Sequence, residues 1–344
     1  YKQVVTHGFL LDEKGLKMSK SGTNAVAPDK VANQNGAEIL RLWVGSADFT
    51  EDMRVGPEII KSNVDAYRKL RNTFRFLLGN LAGFDEKHRV ALADMPELER
   101  YMLHKLAELD KLVRQSYLDY DFKRVFHSLS NFMTVELSSL YFDIRKDALY
   151  CEPLSSNVRR ACQTVMHEAF MCLTAWLAPI MCFTSEEVWL SRFPSDADSV
   201  HLRTFPDVPA DWRDDKLAAK WAKVRQVRRV VTGALEVERR EKRIGSSLEA
   251  NPTVYLSDAA LLEAMQNVDL AEIAITSQAK LVEGTAPDGA FRLEDVAGVG
   301  VVPAMAEGQK CARSWKILPE VGSVAGYPDL TPRDAAAVAE FDAA

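Results

Sequence analysis

The sequence predicts a mainly α-helical chain, a helical bundle followed by a small α+β module and an irregular tail. Three observations carry that prediction. Apolar residues recur at steps of three and four from about Pro57 to Phe193, this period breaks at Arg243-Ile244-Gly245-Ser246 into short β-branched runs, and little periodicity remains after Gly308. A length of 344 residues with 47% hydrophobic composition suffices for two or three domains with real cores.

Taken in order, His7-Gly8-Phe9-Leu10-Leu11 reads as a strand, and Asp12-Glu13-Lys14-Gly15 has the composition of a hairpin turn. Pro28 opens a short helix, where its missing N–H is harmless. Gly36 separates this helix from a second, in which Ile39, Leu40, Trp43 and Val44 share a face. Ile59, Ile60, Val64, Tyr67, Leu70 and Phe74 mark the next helix. Leu98–Tyr117, Phe122–Leu140 and Val158–Cys182 repeat the pattern across short polar breaks, which implies an antiparallel bundle. Asp119 and Asp121 stand where N-caps belong, and Thr184-Ser185-Glu186-Glu187 has the form of a capping box. A Pro- and Asp-rich connector, Phe193 to Trp212, leads to a long helix from Asp214 to Glu241. Beyond it, Val254-Tyr255-Leu256, Ile273-Ala274-Ile275-Thr276 and Val299–Val302 read as strands and Asp258–Asn267 as a helix.

Several function classes fall away. No run of about 18 apolar residues could span a membrane, and no basic segment followed by an apolar one directs secretion. The opening Tyr1-Lys2-Gln3, without an initiator Met and inside what reads as a strand at Val4-Val5, suggests an excised piece of a longer protein. Cys151, Cys162, Cys172 and Cys182 lie in or beside apolar helices and read as small buried thiols of a reducing cytoplasm. The six histidines show no metal-ligand spacing. A net charge of −6 argues against a protein that coats nucleic acid, yet leaves room for a local basic face.

The sharpest chemical signal is Lys17-Met18-Ser19-Lys20-Ser21 with Gly22. Two lysines three apart, two hydroxyls and free backbone N–H groups suit a polyphosphate, each charge-assisted bond contributing about 1.5–3 kcal/mol. A given five-residue string arises by chance in a chain this long roughly once in ten thousand, so the motif is informative.

This loop reproduces the KMSKS signature, and the sequence here resembles the class I aminoacyl-tRNA synthetases. Gly36-Ala37-Glu38-Ile39-Leu40-Arg41-Leu42-Trp43-Val44, Asp48-Phe49-Thr50-Glu51-Asp52-Met53-Arg54, Tyr67 to Leu81 and Leu137 to Asp147 are similar to the isoleucyl branch, and the resemblance covers essentially the whole chain. It implies a cytoplasmic, monomeric ATP-dependent ligase, with ATP and Mg2+ as substrate, that joins isoleucine to tRNA(Ile) through isoleucyl-adenylate. Lys20 would contact the ATP phosphates with Lys17 in support, by electrostatic stabilisation of the leaving pyrophosphate; Met18, Ser19 and Ser21 would complete the ATP loop. The family's His-Ile-Gly-His half-site and editing domain would lie before Tyr1, so this chain should not activate isoleucine alone. The implied layout is the end of a Rossmann-type catalytic domain at 1–54, a helical-bundle anticodon-binding domain at 55–200, a connector and basic helix at 201–250, the α+β module at 251–306, and a degenerate zinc-ribbon-like tail at 307–344.

Two further regions concern RNA. Lys220, Lys223, Arg225, Arg228, Arg229, Arg239, Arg240, Lys242 and Arg243 lie along one helix and its end, opposed only by Glu236, Glu238 and Glu241. In a tRNA-binding protein such a face suits phosphate contacts, while bases are held by aromatics and arginine, for which Trp315 and Arg313 are the candidates. In the tail, family members often carry two Cys-x-x-Cys pairs that bind zinc. Here the four positions are Cys311, Ser314, Thr331 and Asp334, and a closed zinc site needs four good ligands. No zinc is expected, and the tail is expected to fold by packing Trp315, Ile317 and Leu318 onto the body. Two alternatives to the isoleucine ligase stay open: a non-enzymatic tRNA-binding module, and a sister enzyme for valine or leucine.

Overall fold

The structure, a computed structural model, describes residues 1–18 and 26–343. It comprises two compact units. The first is Tyr1–Lys87, Lys105–Leu140 and Gln163–Arg213, the second His88–His104, Tyr141–Cys162 and Asp214–Ala344.

In the first unit β1 (Leu10–Asp12) is followed by the expected turn. The Asp12 carboxylate accepts from the N–H groups of Lys14 and Leu16 at 3.0 and 2.8 Å, and Lys17 returns to bridge Leu11. Val4 and Val5 lie outside the strand and are exposed, contrary to expectation. Helices α1 (Pro28–Asn35) and α2 (Ala37–Ser46) meet at Gly36, whose φ of 89° lies where a side chain would strain the backbone. β2 (Met53–Val55) pairs parallel with β1. Val31, Ile39, Trp43, Val55 and Ile60 form the core here, with Met18 packed against it. The buried face of α2 is Ile39, Leu42 and Trp43, while Val44 is exposed.

The long helices follow: α3 (Pro57–Asn80), α4 (Glu97–Leu118) and α5 (Phe122–Asn131), then a π-helical stretch (Phe132–Phe142) that runs on into α6 (Asp143–Cys151). Hydroxyls stabilise the wide turns, Ser138 donating to the Met133 carbonyl at 2.8 Å and Ser139 to that of Thr134 at 2.9 Å. Next come α7 (Asn157–Leu177) and α8 (Cys182–Arg192). Asp121 caps α5 as expected, accepting from the Arg124 N–H at 2.9 Å, but Asp119 accepts instead from the Gln115 side chain. Thr184-Ser185-Glu186-Glu187 is not a capping box, because α8 starts two residues earlier. The Thr184 N–H is satisfied by the buried Glu38 carboxylate of α2 at 2.6 Å, an acidic group at the positive end of the helix.

In the second unit Asp214 caps α9 (Asp215–Arg240), accepting from the Leu217 N–H at 2.9 Å. The chain continues through β3 (Thr253–Leu256), α10 (Ala259–Ala264), α11 (Leu270–Ala274), β4 (Lys280–Glu283), β5 (Phe291–Leu293) and β6 (Val296–Val302). The sheet order is β4-β3-β6-β5, parallel only between β3 and β4, and the Val224, Val227 and Val231 stripe of α9 is buried, the helix packing on β5 and β6. The segment Ile273–Thr276, expected as a strand, is the end of α11. Asp269 caps that helix and Ile275 ends it with φ 59°, a left-handed value unusual for a β-branched residue. The tail holds more order than its pattern suggests: β7 (Gln309–Lys310) pairs antiparallel with β8 (Ile317–Leu318), and α12 (Pro332–Asp342) follows. Its small core is Cys311, Val321, Leu330 and Ala335 with Leu318 against it.

One buried ion pair crosses the second unit. Arg145 of α6 grips Glu99 of α4 with two bonds of 2.6 and 2.7 Å, both side chains 3% exposed or less, and also reaches Glu272 of α11. The Tyr141 hydroxyl donates to Glu99 at 3.0 Å. Burial opposes the Arg145 charge, but Glu99 outweighs it and holds the guanidinium above its ordinary range, while burial raises Tyr141. Arg145→Met should therefore lower stability by about 3–5 kcal/mol, because Glu99 is left buried and uncompensated. Urea unfolding measures this, and a loss below about 1 kcal/mol would show that the pair is not the anchor we describe.

Candidate nucleic-acid interface

In the first unit the residues that lead into the Lys17–Ser21 motif form a held stem. Lys17 is held by its bridge to Leu11, and Met18 is seated on the core of Val31, Ile39 and Trp43. Ser19, Lys20 and Ser21 lie outside the described residues. A cavity of about 970 Å³ borders the stem, with Lys14, Lys30, Lys61 and Arg68 among its walls, balanced by Asp12 and Asp65.

In the second unit the basic helix is real, but its charges divide by role. Arg225 donates to the Tyr101 hydroxyl at 3.1 Å, and Arg228 to the Ile273 carbonyl at 2.7 Å, partly buried so that desolvation lowers its pKa. Arg229 pairs with Asp295, Lys220 with Glu97 at 2.8 Å and Arg243 with Glu238. Arg239 faces Glu236 at 3.2 Å and is exposed; Arg240 is exposed and has no ion-pair partner among the described residues. The continuous basic face expected from spacing is thus reduced, with Arg225 and Arg228 serving the fold.

A second cavity, about 460 Å³, opens nearby in the same unit. Asp143, Tyr150, Leu248, Ile275, Trp315 and Lys316 are among its lining residues. Trp315 is 62% exposed, so the expectation that it packs onto the body fails; it stands at the end of a tight loop with a left-handed φ of 63°, its N–H bonded back to the Cys311 carbonyl at 3.0 Å. Lys310 stands over the ring at 5.8 Å, and Tyr150 is 54% exposed. Two non-glycine residues in left-handed conformation, Ile275 and Trp315, therefore line one cavity, and stored backbone strain of this kind concentrates at binding sites. Sequence reasoning missed Tyr150, Leu248 and Ile275, which lie too far apart in the chain for any motif to join them. Arg313 is committed to the fold: it donates to the carbonyls of Tyr150 and Cys151 at 2.8 and 2.5 Å, at the C-terminal end of α6.

The four positions at which zinc ligands would stand do come together. Asp334 is fully buried, and its Oδ2 accepts from Thr331 Oγ1 at 2.5 Å, Ser314 Oγ at 3.0 Å and Cys311 Sγ at 3.4 Å. One thiol, two hydroxyls and a carboxylate already saturated with donors do not fit a closed zinc site. Among the described residues no group of three or more His, Cys, Asp or Glu side chains is placed to hold a metal ion. The remaining cysteines are buried or half-buried, and burial pushes the Cys151 and Cys162 thiols up to about 12, so both are protonated and unreactive at neutral pH.

Comparison with known proteins fits this geometry. The family model "tRNA synthetases class I (I, L, M and V)" matches residues 1–56, and "Anticodon-binding domain of tRNA ligase" matches residues 99–254. Isoleucine–tRNA ligases are similar along the whole chain: that of Brucella abortus is 56% identical over 343 residues and that of Agrobacterium fabrum 57% over 343, each covering 100% of this chain. The chain belongs to the class I aminoacyl-tRNA synthetases, isoleucyl branch. It spans 35% of the length of those relatives. The Bartonella henselae ligase is 53% identical over 341 residues, 99% of this chain. A solved leucyl-tRNA synthetase complex from Agrobacterium radiobacter K84 superposes on 60% of this chain and 24% of its own, with 15% identity and a TM-score of 0.49, a likeness too slight to argue from. Among the described residues no helix of this synthetase chain is long and apolar enough to cross a membrane.

The tail of this synthetase chain is tied to α6 by charge. Asp147 receives Arg333 at 3.0 Å and Lys316 at 3.2 Å. Burial opposes ionisation of Asp147, but these two cations hold its carboxyl below the usual range. A depressed folded pKa contributes stability in full above the unfolded value, about 4, and loses it as the pH falls through the folded one. Asp147→Asn should thus destabilise the chain at pH 7 and flatten the acid limb of its stability curve below about pH 4. Parallel acid limbs for the two proteins would refute the pairing.

Proposed function

We propose that this chain supplies the ATP loop and the tRNA-binding region of a cytoplasmic, monomeric isoleucine–tRNA ligase. The reaction joins isoleucine to tRNA(Ile) through isoleucyl-adenylate at the expense of ATP with Mg2+. The observation that carries the reading is identity of 53–57% with isoleucine–tRNA ligases over 99–100% of the chain. In this reading Lys17 and Lys20, with Met18, Ser19 and Ser21, close on the ATP phosphates. The anchored stem at Lys17 and Met18 supports it, because a loop that must meet a developing charge benefits from a preorganised base.

For the tRNA, the Trp315 cavity is the recognition element we favour. An exposed indole beside Tyr150 and Lys316 suits an unstacked anticodon base, since base–aromatic stacking contributes about 1–3 kcal/mol. Arg239, Arg240 and Arg229 are assigned to phosphates; Arg225, Arg228 and Arg313 act through the fold that carries the site. The module without catalysis remains the second reading, favoured only by the self-contained second unit.

Binding of the purified chain to tRNA(Ile), compared at one salt concentration with the same tRNA bearing a valine anticodon, tests the assignment. We expect tenfold discrimination or more, about 1.4 kcal/mol, largely lost in Trp315→Ala. Equal and strongly salt-dependent binding of both would leave only phosphate contacts and refute anticodon reading in this chain. In the full-length ligase carrying this sequence, Lys20→Ala should slow pyrophosphate exchange far more than it weakens isoleucine binding. An unchanged exchange rate would remove Lys20 from the chemistry.

A further inference from the structure

The tail contains a buried carboxylate with an unusual task. Two turns cross at Asp334. The first is the loop Cys311–Lys316, closed by the Cys311 N–H on the Lys316 carbonyl at 2.8 Å and the Trp315 N–H on the Cys311 carbonyl at 3.0 Å. The second is the start of α12, where Thr331 caps the helix by accepting from the Asp334 N–H at 3.1 Å. A single backbone bond joins the turns directly here, from the Ala312 N–H to the Asp329 carbonyl at 2.9 Å. The side-chain ties converge on the Asp334 carboxylate, whose Oδ2 collects the hydroxyls of Ser314 and Thr331 and the thiol of Cys311. The other oxygen, Oδ1, faces Arg313 at 3.4 Å, and Arg333 stands 3.3 Å from Oδ2, so the buried charge is balanced.

We propose that the Asp334 carboxylate is a metal-free hub. It does by hydrogen bonds what a structural metal ion does by coordination, and it is the positioning residue that fixes Ser314 and hence the outward-turned Trp315. The physical logic is acceptor count. A carboxylate has about four lone-pair sites and no donor, so three weak donors can converge on it with no proton in conflict. The cluster is fully buried or nearly so at Cys311, Ser314, Thr331 and Asp334, and this makes each missing bond expensive. Trp315 has a left-handed backbone and little burial of its own, its ring being met by Lys310 at 5.8 Å. Its backbone is held by its own N–H on the Cys311 carbonyl and by its two neighbours, Lys316 through the Cys311 N–H and Asp147, and Ser314 through Asp334.

The hub itself does not rest on the proposed RNA function, although its use for recognition does. Amide hydrogen exchange on the whole chain reads the hub, and the indole resonance of Trp315, assigned with Trp315→Phe, reads the positioning. Asp334→Asn places a donor among donors. It should raise exchange at the Cys311 and Trp315 amides tenfold or more and shift or broaden the Trp315 indole signal, with the amides of β3 and β6 unchanged. Thr331→Val should act in the same direction and Thr331→Ser, which keeps the hydroxyl, should not. This pair stays informative if Asp334→Asn fails to fold. Chelator should leave tRNA(Ile) affinity of the wild-type chain unchanged. The combined Ser314→Cys, Thr331→Cys and Asp334→Cys variant, which adds three thiols to Cys311, should take up one Co2+ with thiolate charge-transfer absorption where the wild type takes none. Exchange and indole signals in Asp334→Asn or Thr331→Val matching wild type, or a wild-type chain that loses tRNA affinity to chelator, would overturn the hub. A triple variant that binds no Co2+ would overturn the convergence on which it rests. Failure of wild type to bind tRNA with the exchange results intact would instead sink the functional reading alone.

Discussion

The second unit is organised around the ion pair of Glu99 and Arg145. Both charges are out of water, so the pair contributes little net stability beyond an apolar alternative of the same shape. What it contributes is a constraint: any arrangement of α4 and α6 that parts the two leaves a bare charge in the interior. Bidentate geometry and the added bond from Tyr141 leave little freedom in the rotation of α6 about its axis.

That rotation matters because α6 carries the attachment points of the tail. With Arg145 turned to Glu99, Asp147 is presented to Arg333 and Lys316, and the Tyr150 and Cys151 carbonyls at the helix end are presented to Arg313. Arginine is suited to that last contact because its fork satisfies two orphan carbonyls at once and its charge meets the negative end of the helix. The tail is thus docked by polar contacts, and its own apolar core of Cys311, Val321, Leu330 and Ala335 is small. A segment with so little to bury needs a cross-tie, which accounts for the density of hydrogen bonds at Asp334.

How far this could be read in advance varied with the physics involved. Helix periodicity located the bundle because a buried stripe on a long helix overrides local detail; the Leu98–Tyr117 and Asp214–Glu241 readings fall within two residues of the observed ends. Short apolar runs carry no such redundancy. Ile273-Ala274-Ile275-Thr276 has strand composition, yet Asp269 caps a helix just before it, and one capping bond decided the outcome. Thr184–Glu187 failed as a capping box for the reverse reason: the group that satisfies Thr184 comes from Glu38, 146 residues away. The candidate residues of the two units differ in the same manner. The Lys17–Ser21 motif is contiguous and legible as a five-residue word. The Trp315 cavity draws on Tyr150, Leu248, Ile275 and Trp315, and no local pattern could have assembled it.

The tail shows how a buried carboxylate can tie two turns together through hydrogen bonds alone. A metal centre accepts electron pairs from four ligands, whereas the Asp334 hub inverts the polarity, an anion accepting protons from three donors. Donors and acceptor are mutually consistent, because each hydroxyl finds the one carboxylate that needs it. The remaining Cys311 serves as core residue and weak donor at once, roles a buried thiol fills without any reactivity. The price is geometric tolerance: hydrogen bonds to an oxygen are softer in angle than metal–sulfur bonds. The Arg313 fork on α6 and the Ala312–Asp329 backbone bond narrow that freedom from outside the hub, so the loop beneath Trp315 is fixed by three weak constraints in place of one strong one.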